Sequence, residues 1–189
     1  ALVEMDEESR PEELLMQLTP SQAAKIIEEL DPDDAADLLA QIPLKDFRQI
    51  MARLEDEDTK QIQQLMTYDE ESAGGIMTPE LLKVPDNFSK REAMDEVLRI
   101  SDEMEDFYVI YVVDENDVLL GTVSINDLIR AKPWVKVREL IDEECVKVHV
   151  DTDQEEVARM ISKYNLAAIP VVDSNGRLLG RITFDDVMD

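Results

Sequence analysis

A twenty-residue stretch occurs twice in this chain, and any fold it adopts must accommodate both copies. Ile110–Ile129 reappears as Ile169–Met188 at an offset of 59 without a gap, with nine of the twenty positions identical. Five more exchange like for like: Val123/Ile182, Ser124/Thr183, Asn126/Asp185, Leu128/Val187 and Ile129/Met188. A self-similarity of this quality is the sequence mark of a duplicated structural unit and outranks any single motif. Within each copy, Val112-Val113 and Val171-Val172 are short β-branched runs. Asn116-Asp117 and Asn175-Gly176 then supply residues that tolerate positive φ in a tight hairpin turn. Leu119–Val123 and Leu178–Ile182 read as return strands. Ser124 and Thr183 stand where an N-cap belongs, with Asp127 and Asp186 in the first helical turn that follows.

The duplication extends upstream, where Val84–Arg99 matches Val148–Lys163 at an offset of 64. This stretch carries helical spacing, with Ala93, Val97 and Leu98 set against Val157, Met160 and Ile161. Each full unit therefore reads β-α-β-β-α. The change of offset places five extra residues in the first copy, within 101–107. Asp102, Glu103, Glu105 and Asp106 in that insertion read as a solvated charge run, because the repeat gives them no domain face.

A second repeat, of period twelve, occupies the N-terminal part. Leu18, Leu30, Ile42, Leu54 and Met66 form one column; Ile26, Leu38, Ile50 and Ile62 another; Ala23, Ala35 and Phe47 a third. Thr19-Pro20, Asp31-Pro32 and Pro43 mark the joints, with Thr or Asp as cap and Pro at the first helical position. Helices of eight or nine residues joined by three-residue turns follow. Helices so short are marginal alone and must stack, which predicts an all-α superhelix. Gly74-Gly75 is expected to end the last of them, and Pro79 to stop any continuation.

Charge and composition limit the chemistry. Forty-five acids against nineteen bases give −26. Nucleic acid and anionic lipid are poor partners for such a balance, since phosphate recognition needs clustered Lys and Arg. Solubility alone needs far less charge. The single cysteine, Cys145, excludes an internal disulfide. His149, the only histidine, reads as a structural residue on a strand, so a zinc site or a Ser-His-Asp triad is not supported. No base, nucleophile and oxyanion donor occur as a set, so the chain does not read as an enzyme. Trp134, in the link between the copies, either offers an aromatic platform or packs the link onto the domain; packing is the expectation.

The Gly-x-x-Ser/Thr-x-x-Asp motif after a Val-Val-Asp hairpin, present in both copies, resembles a tandem pair of CBS domains across residues 77–189. A helical Leu-x-Pro superhelix, then Ser72-Ala73-Gly74-Gly75-Ile76-Met77-Thr78, then the pair, is similar to the cytosolic region of MgtE magnesium transporters over the whole chain. The resemblance implies an α+β fold: a helical domain over 1–75, CBS domain 1 over 76–134 and CBS domain 2 over 135–189. It implies a homodimer through the CBS domains, a transmembrane channel domain elsewhere in the same chain, and a place at the cytoplasmic face of the membrane. It further implies regulation by Mg2+ and, as the alternative, by ATP or another adenine nucleotide.

Mg2+ takes oxygen ligands, keeps several waters and is commonly held by one or two carboxylates. Three acidic clusters qualify: Asp31, Asp33, Asp34 and Asp37; Asp153, Glu155 and Glu156; and Asp185, Asp186 and Asp189. Each equally suits a capped, solvated helix start, where acids are favoured in any case. Two carboxylates ~5 Å apart at an effective dielectric of ~20 repel by roughly 3 kcal/mol, so bridging ions would reverse the sign of an interface they line. The expected metal ligands are Asp33, Asp37, Asp153, Glu155, Glu156, Asp186 and Asp189. The favoured bridge joins Asp33 and Asp37 to Asp186 and Asp189. For the nucleotide alternative, the CBS resemblance assigns Ser124, Asp127, Thr183 and Asp186 to ribose and phosphate, with Arg181, Arg177 and Lys83 as candidate cations.

Overall fold

The computed structural model describes residues 11–101 and 109–187. The chain divides into two compact units, 1–70 and 71–189. The insertion acids Asp102, Glu103, Glu105 and Asp106, and Asp189 at the other end, lie outside the described residues.

The first unit is helical, as the twelve-residue period requires. Helices α1 (Pro11–Gln17), α2 (Pro20–Ile27), α3 (Pro32–Ala40), α4 (Leu44–Met51) and α5 (Asp56–Leu65) follow one another. Thr19 and Asp31 hold the extended backbone of an N-cap, with Pro20 and Pro32 at the first helical position. Pro43 stands one place earlier than expected, as the N-cap residue itself. Its ring fixes φ but offers no side-chain acceptor, so α4 starts without a side-chain cap. Each helix packs on the one two places along: α1 on α3, α2 on α4 and α3 on α5. The core includes two members of the first expected column (Ile42, Leu54), the second (Leu38, Ile50, Ile62), the third (Ala23, Ala35), and one the reading missed: Leu15, Ile27, Leu39 and Met51. Small alanines beside large aliphatics let helices of this length approach closely. The period also shapes the surface. Leu18, Pro20, Ala23, Asp46 and Ile50 line one cleft, and Leu30, Pro32, Ala35, Asp58 and Ile62, each twelve residues on, line a second.

The second unit opens with a correction. Gly74 and Gly75 do not end the helical stack; they sit inside a short helix, α6 (Ala73–Ile76), capped by Ser72. Its first backbone amides are taken up by the second CBS copy: Ala73 N–H donates to the Thr152 carbonyl (2.6 Å) and Gly74 N–H to that of Val150 (2.8 Å). The two β-α-β-β-α repeats then appear as expected. The first comprises β1 (Lys83–Pro85), α7 (Lys90–Ser101), β2 (Ile110–Val113), β3 (Leu119–Val123) and α8 (Ile125–Arg130). The second comprises β4 (Val148–His149), α9 (Gln154–Tyr164), β5 (Ala168–Val172), β6 (Leu178–Thr183) and, in place of a last α-helix, a 3-10 turn over Asp185–Val187. Each copy makes a three-stranded sheet with a parallel and an antiparallel pair. The hairpin turns carry positive φ where the sequence asked for it, 62° at Asp117 and 78° at Gly176.

The two copies exchange backbone reciprocally. Thr78, ahead of the first copy, forms a bridge with Arg181 on β6; its repeat equivalent Asp142, ahead of the second, bridges to Thr122 on β3. Ser72 with Asp153 and Ser89 with Lys136 are a second such pair. Leu119 N–H donates to the Gly176 carbonyl and Leu178 N–H to that of Asp117, both at 2.9 Å. Every one of these contacts maps onto its mate through the offsets of 64 and 59, so the copies are related by a local twofold.

One face of the first sheet joins α7 and α8 in a core of Leu82, Val84, Ala93, Val97, Ile110, Val123 and Leu128. The opposite face, through Tyr111, Val113 and Leu119, meets Val172 and Leu178 of the second sheet. Tyr111 is only 2% exposed, and its hydroxyl has no hydrogen-bond partner among the described residues. Burial pushes its ionisation far above the usual phenol range. Leaving a hydroxyl unpaired in an apolar setting costs more than removing it. Tyr111→Phe is therefore expected to keep or raise stability, by about 1 kcal/mol in urea unfolding; a loss of that size would show that the hydroxyl is satisfied by water.

Candidate functional site

The two Ser/Thr-x-x-Asp motifs sit at equivalent places, and in both the hydroxyl accepts from the Asp N–H, while the carboxylate returns to a different atom. Ser124 Oγ accepts from the Asp127 N–H (3.0 Å) and donates to Asp127 Oδ2 (2.7 Å). In the second copy, Asp186 Oδ2 accepts from the Thr183 N–H (2.6 Å), while Thr183 Oγ1 accepts from the Asp186 N–H (3.4 Å). Both are reciprocal capping arrangements that close the chain reversal after β3 and β6. Ser124, Asp127 and Asp186 remain exposed. They present hydroxyl and carboxylate to solvent at two symmetry-related points.

The candidate cations are otherwise engaged. Arg181 is buried, and its Nε donates to the Glu80 carbonyl at 2.8 Å. Lys83 Nζ pairs with Asp117 at 2.9 Å. Both serve the fold where they stand, which leaves Arg177 of the three.

The acids fall into separate groups. Asp31 caps α3 by backbone conformation, and Asp33 and Asp34 occupy its first turn. Asp37, one turn along, has its carboxyl raised above the ordinary range, first by partial loss of water and then by the negative charges of Glu70 and Asp34. Only the smaller, like-charge part of that shift would also favour a cation; the larger part comes from burial. Asp153 caps α9, its Oδ1 accepting from the Glu155 N–H at 2.8 Å. Glu155 pairs with Arg159 at 2.9 Å, and Glu156 lies in the same first turn. These are the contacts a capped helix start makes. Within either unit, no three His, Cys, Asp or Glu side chains among the described residues converge closely enough to hold a metal ion. Any ion held by the predicted acids would need carboxylates from more than one group, or waters in place of the missing ligands.

Sequence reasoning missed the backbone exchange between copies. Its signal was present in Gly121 and Gly180, identical positions in the repeat, each with a carbonyl lying where a side chain would go. A Cβ on Gly121 would meet the Asp142 carbonyl oxygen at 2.3 Å, and one on Gly180 the Thr78 carbonyl oxygen at 2.5 Å. It also misplaced Trp134, which does not pack the link onto the domain. The indole is 71% exposed, with Lys132 Nζ 5.5 Å from its ring centroid.

Comparison with known proteins identifies the architecture. Residues 1–71 match the MgtE intracellular N domain, and residues 73–133 and 137–189 each match the CBS domain. The chain belongs to the CBS-domain family. With an MgtE N domain ahead of the pair, it is homologous to MgtE magnesium transporters. The magnesium transporter MgtE of Thermus thermophilus is 44% identical over 127 residues, which are 67% of this chain and 28% of that protein. That of Enterococcus faecalis is 38% identical over the same extent. The chain thus spans 28% of the length of these curated relatives. A crystal structure of the soluble part of a magnesium transporter superposes with a TM-score of 0.90 at 34% identity, covering 100% of this chain and 73% of that one. The cytosolic domain of the Mg2+ channel MgtE in complex with ATP gives 0.81 at 37% identity, covering 95% and 78%. The α+β fold, a helical domain followed by a CBS pair, is the fold of these proteins. No helix among the described residues is long and apolar enough to cross a membrane.

Proposed function

We propose that this chain is the Mg2+-sensing cytosolic region of an MgtE-type magnesium transporter, which compacts on binding Mg2+ and so shuts the pore of a membrane domain in the same chain. The observation that carries the reading is the homology of the whole chain to the soluble part of a magnesium transporter and to MgtE, in a chain of net charge −26. The donor chemistry suits the ion: oxygen ligands only, with Asp33 and Asp37 on α3 and Asp186 on the 3-10 turn after β6. Asp33 and Asp37 would supply one face, and Asp186 with Asp189 the other. Asp153, Glu155 and Glu156 would form a further, weaker group. Metal-free, such faces repel; Mg2+ replaces the repulsion with attraction, and each ion shifts the balance only by its preference for the compact state. Several weak sites acting together give a steep response to an abundant ion. The working unit would be a homodimer through the CBS domains at the cytoplasmic face of the membrane.

The second reading is an adenine-nucleotide regulator. It is favoured by the equivalent places and exposed oxygens of Ser124-Asp127 and Thr183-Asp186, and by the similarity to a cytosolic domain that holds ATP. Asp186 belongs to both readings, so nucleotide and metal would influence each other there.

Small-angle scattering during a Mg2+ titration separates them. Compaction in the millimolar range is the expected result. No change in radius up to tens of millimolar, with compaction on ATP instead, would favour the nucleotide reading.

A further inference from the structure

On a chain with 45 acids, the segment from Leu128 to Arg138 contains four bases and no acid. The fold concentrates this positive charge rather than dispersing it. Lys90 N–H donates to the Val135 carbonyl (2.8 Å), and its Nζ to that of Ile129 (3.3 Å). Ser89 bridges to Lys136, whose Nζ reaches the Asn87 carbonyl at 2.8 Å. Lys90, Arg130, Lys132 and Lys136 therefore gather around one short surface segment. Nearby acids are turned to other tasks: Glu92 caps Ser89, Glu139 accepts from the Lys136 N–H, and Asp86 pairs with Arg138.

Two large apolar side chains stand in the middle of these cations. Trp134 is 71% exposed and Ile129 55%. Lys132 lies over the indole, so its ammonium and the ring face outward together. A linker tryptophan has every reason to pack inward, where most of its surface would leave water. Exposed on a basic loop, it has the composition of a residue that rests at headgroup depth, ring in the boundary layer and cations on the phosphates.

We propose that the segment Ile129–Lys136, with Lys90, is a docking surface for an anionic lipid bilayer, with Trp134 as its anchor. The net charge of −26 opposes the approach of such a surface, but its distribution does not. At ~0.15 M salt the Debye length is ~8 Å, so most of the chain's acids are screened from the contact, and the bilayer meets chiefly the local balance of Lys90, Arg130, Lys132 and Lys136 against Glu92 and Glu139. Each cation brought to an anionic surface strengthens partition roughly five-fold. A lipid surface is favoured over an acidic protein because an amphipathic ring and an exposed isoleucine stand among the cations, the composition suited to a headgroup boundary. The proposal is independent of the Mg2+ reading, and its test excludes the ion.

Trp134 is the only tryptophan, so the intrinsic emission of the intact chain reports this site alone. The chain would be mixed, in EDTA and at about 0.15 M salt, with phosphatidylcholine vesicles with or without about one third phosphatidylglycerol. Co-flotation and a blue shift of emission are expected with the anionic vesicles only. Trp134→Ala should weaken flotation several-fold, and Arg130→Glu with Lys132→Glu should abolish it. Lys60→Glu, in the helical unit, should leave it unchanged; circular dichroism checks that every variant is folded. The proposal is overturned by absence of flotation, by flotation without an emission shift, or by equal flotation of Trp134→Ala. It is also overturned if Lys60→Glu matches the double variant, or if poly-glutamate alone produces the same shift.

Discussion

Gly121→Ala is expected to remove a large part of the stability of the CBS pair. The new methyl group would lie 2.3 Å from the Asp142 carbonyl oxygen and 2.6 Å from Ile141 Cγ2. The first of these is backbone, so no rotamer change relieves it. The segment before the second copy must lift away from β3. Two hydrogen bonds go with it: Thr122 N–H to the Asp142 carbonyl (3.0 Å) and Asp142 N–H to that of Thr122 (2.8 Å). Overpacking of 1–3 kcal/mol and two backbone bonds of about 1 kcal/mol each suggest a loss of roughly 3–5 kcal/mol. A typical domain has only about 5–15 kcal/mol in total. Gly180→Ala should behave alike, because the Thr78 carbonyl stands 2.5 Å from its Cβ position and the same reciprocal pair, Thr78 with Arg181, closes the contact. The repeat supplies its own control. Gly176 has positive φ, but a Cβ there would meet only Val118 Cγ1 at an ordinary 3.5 Å, and its equivalent in the first copy is Asp117, also at positive φ. Gly176→Asp should therefore cost under about 1 kcal/mol. Chemical denaturation ranks the three. If Gly121→Ala falls beside Gly176→Asp, the segments do not cross as described.

Neutralising Asp37 and Asp186 is expected to weaken Mg2+-driven compaction while favouring the metal-free compact form. Asp37→Asn removes a carboxylate that its neighbours already disfavour. The sign with pH follows from its raised ionisation. The helical unit is unpenalised while Asp37 is protonated and loses stability as pH rises from the ordinary carboxylate range through the raised value. The substitution should therefore stabilise at neutral pH and make little difference in acid. Asp186→Asn keeps an oxygen to accept from the Thr183 N–H, so the cap survives and only the charge is lost. Each change should move the Mg2+ midpoint upward by roughly tenfold, the scale on which a lost partner of a metal site registers. If the two carboxylates share an ion, the double change will fall short of the sum. The measurement is a double-mutant cycle on the scattering midpoint. Strict additivity would assign them to different ions and end the proposal of a joint site.

The sequence by itself determined the elements. The twelve-residue period from Leu18 on placed a stack of short helices, because each must bury one face against its neighbours; the columns marked part of that face and missed Ile27, Leu39 and Met51. The duplicated stretch placed strand, turn and strand twice, down to positive φ at Asp117 and Gly176, because turn chemistry is local and a few adjacent residues suffice. The Ser124 and Thr183 caps were legible for the same reason. What only the tertiary structure decided is non-local. Thr78 meets Arg181 and Asp142 meets Thr122, residues far apart in the chain whose identities carry no pairing signal; the only trace was a glycine at the same place in each copy. Gly74-Gly75 reads as a helix stop, yet it enters α6, because the amides of Ala73 and Gly74 find carbonyls at residues 150 and 152. The exposure of Trp134 was equally hidden. Composition gives a tryptophan an incentive to pack, but whether a surface lies within reach is set by where two domains place the ends of their link.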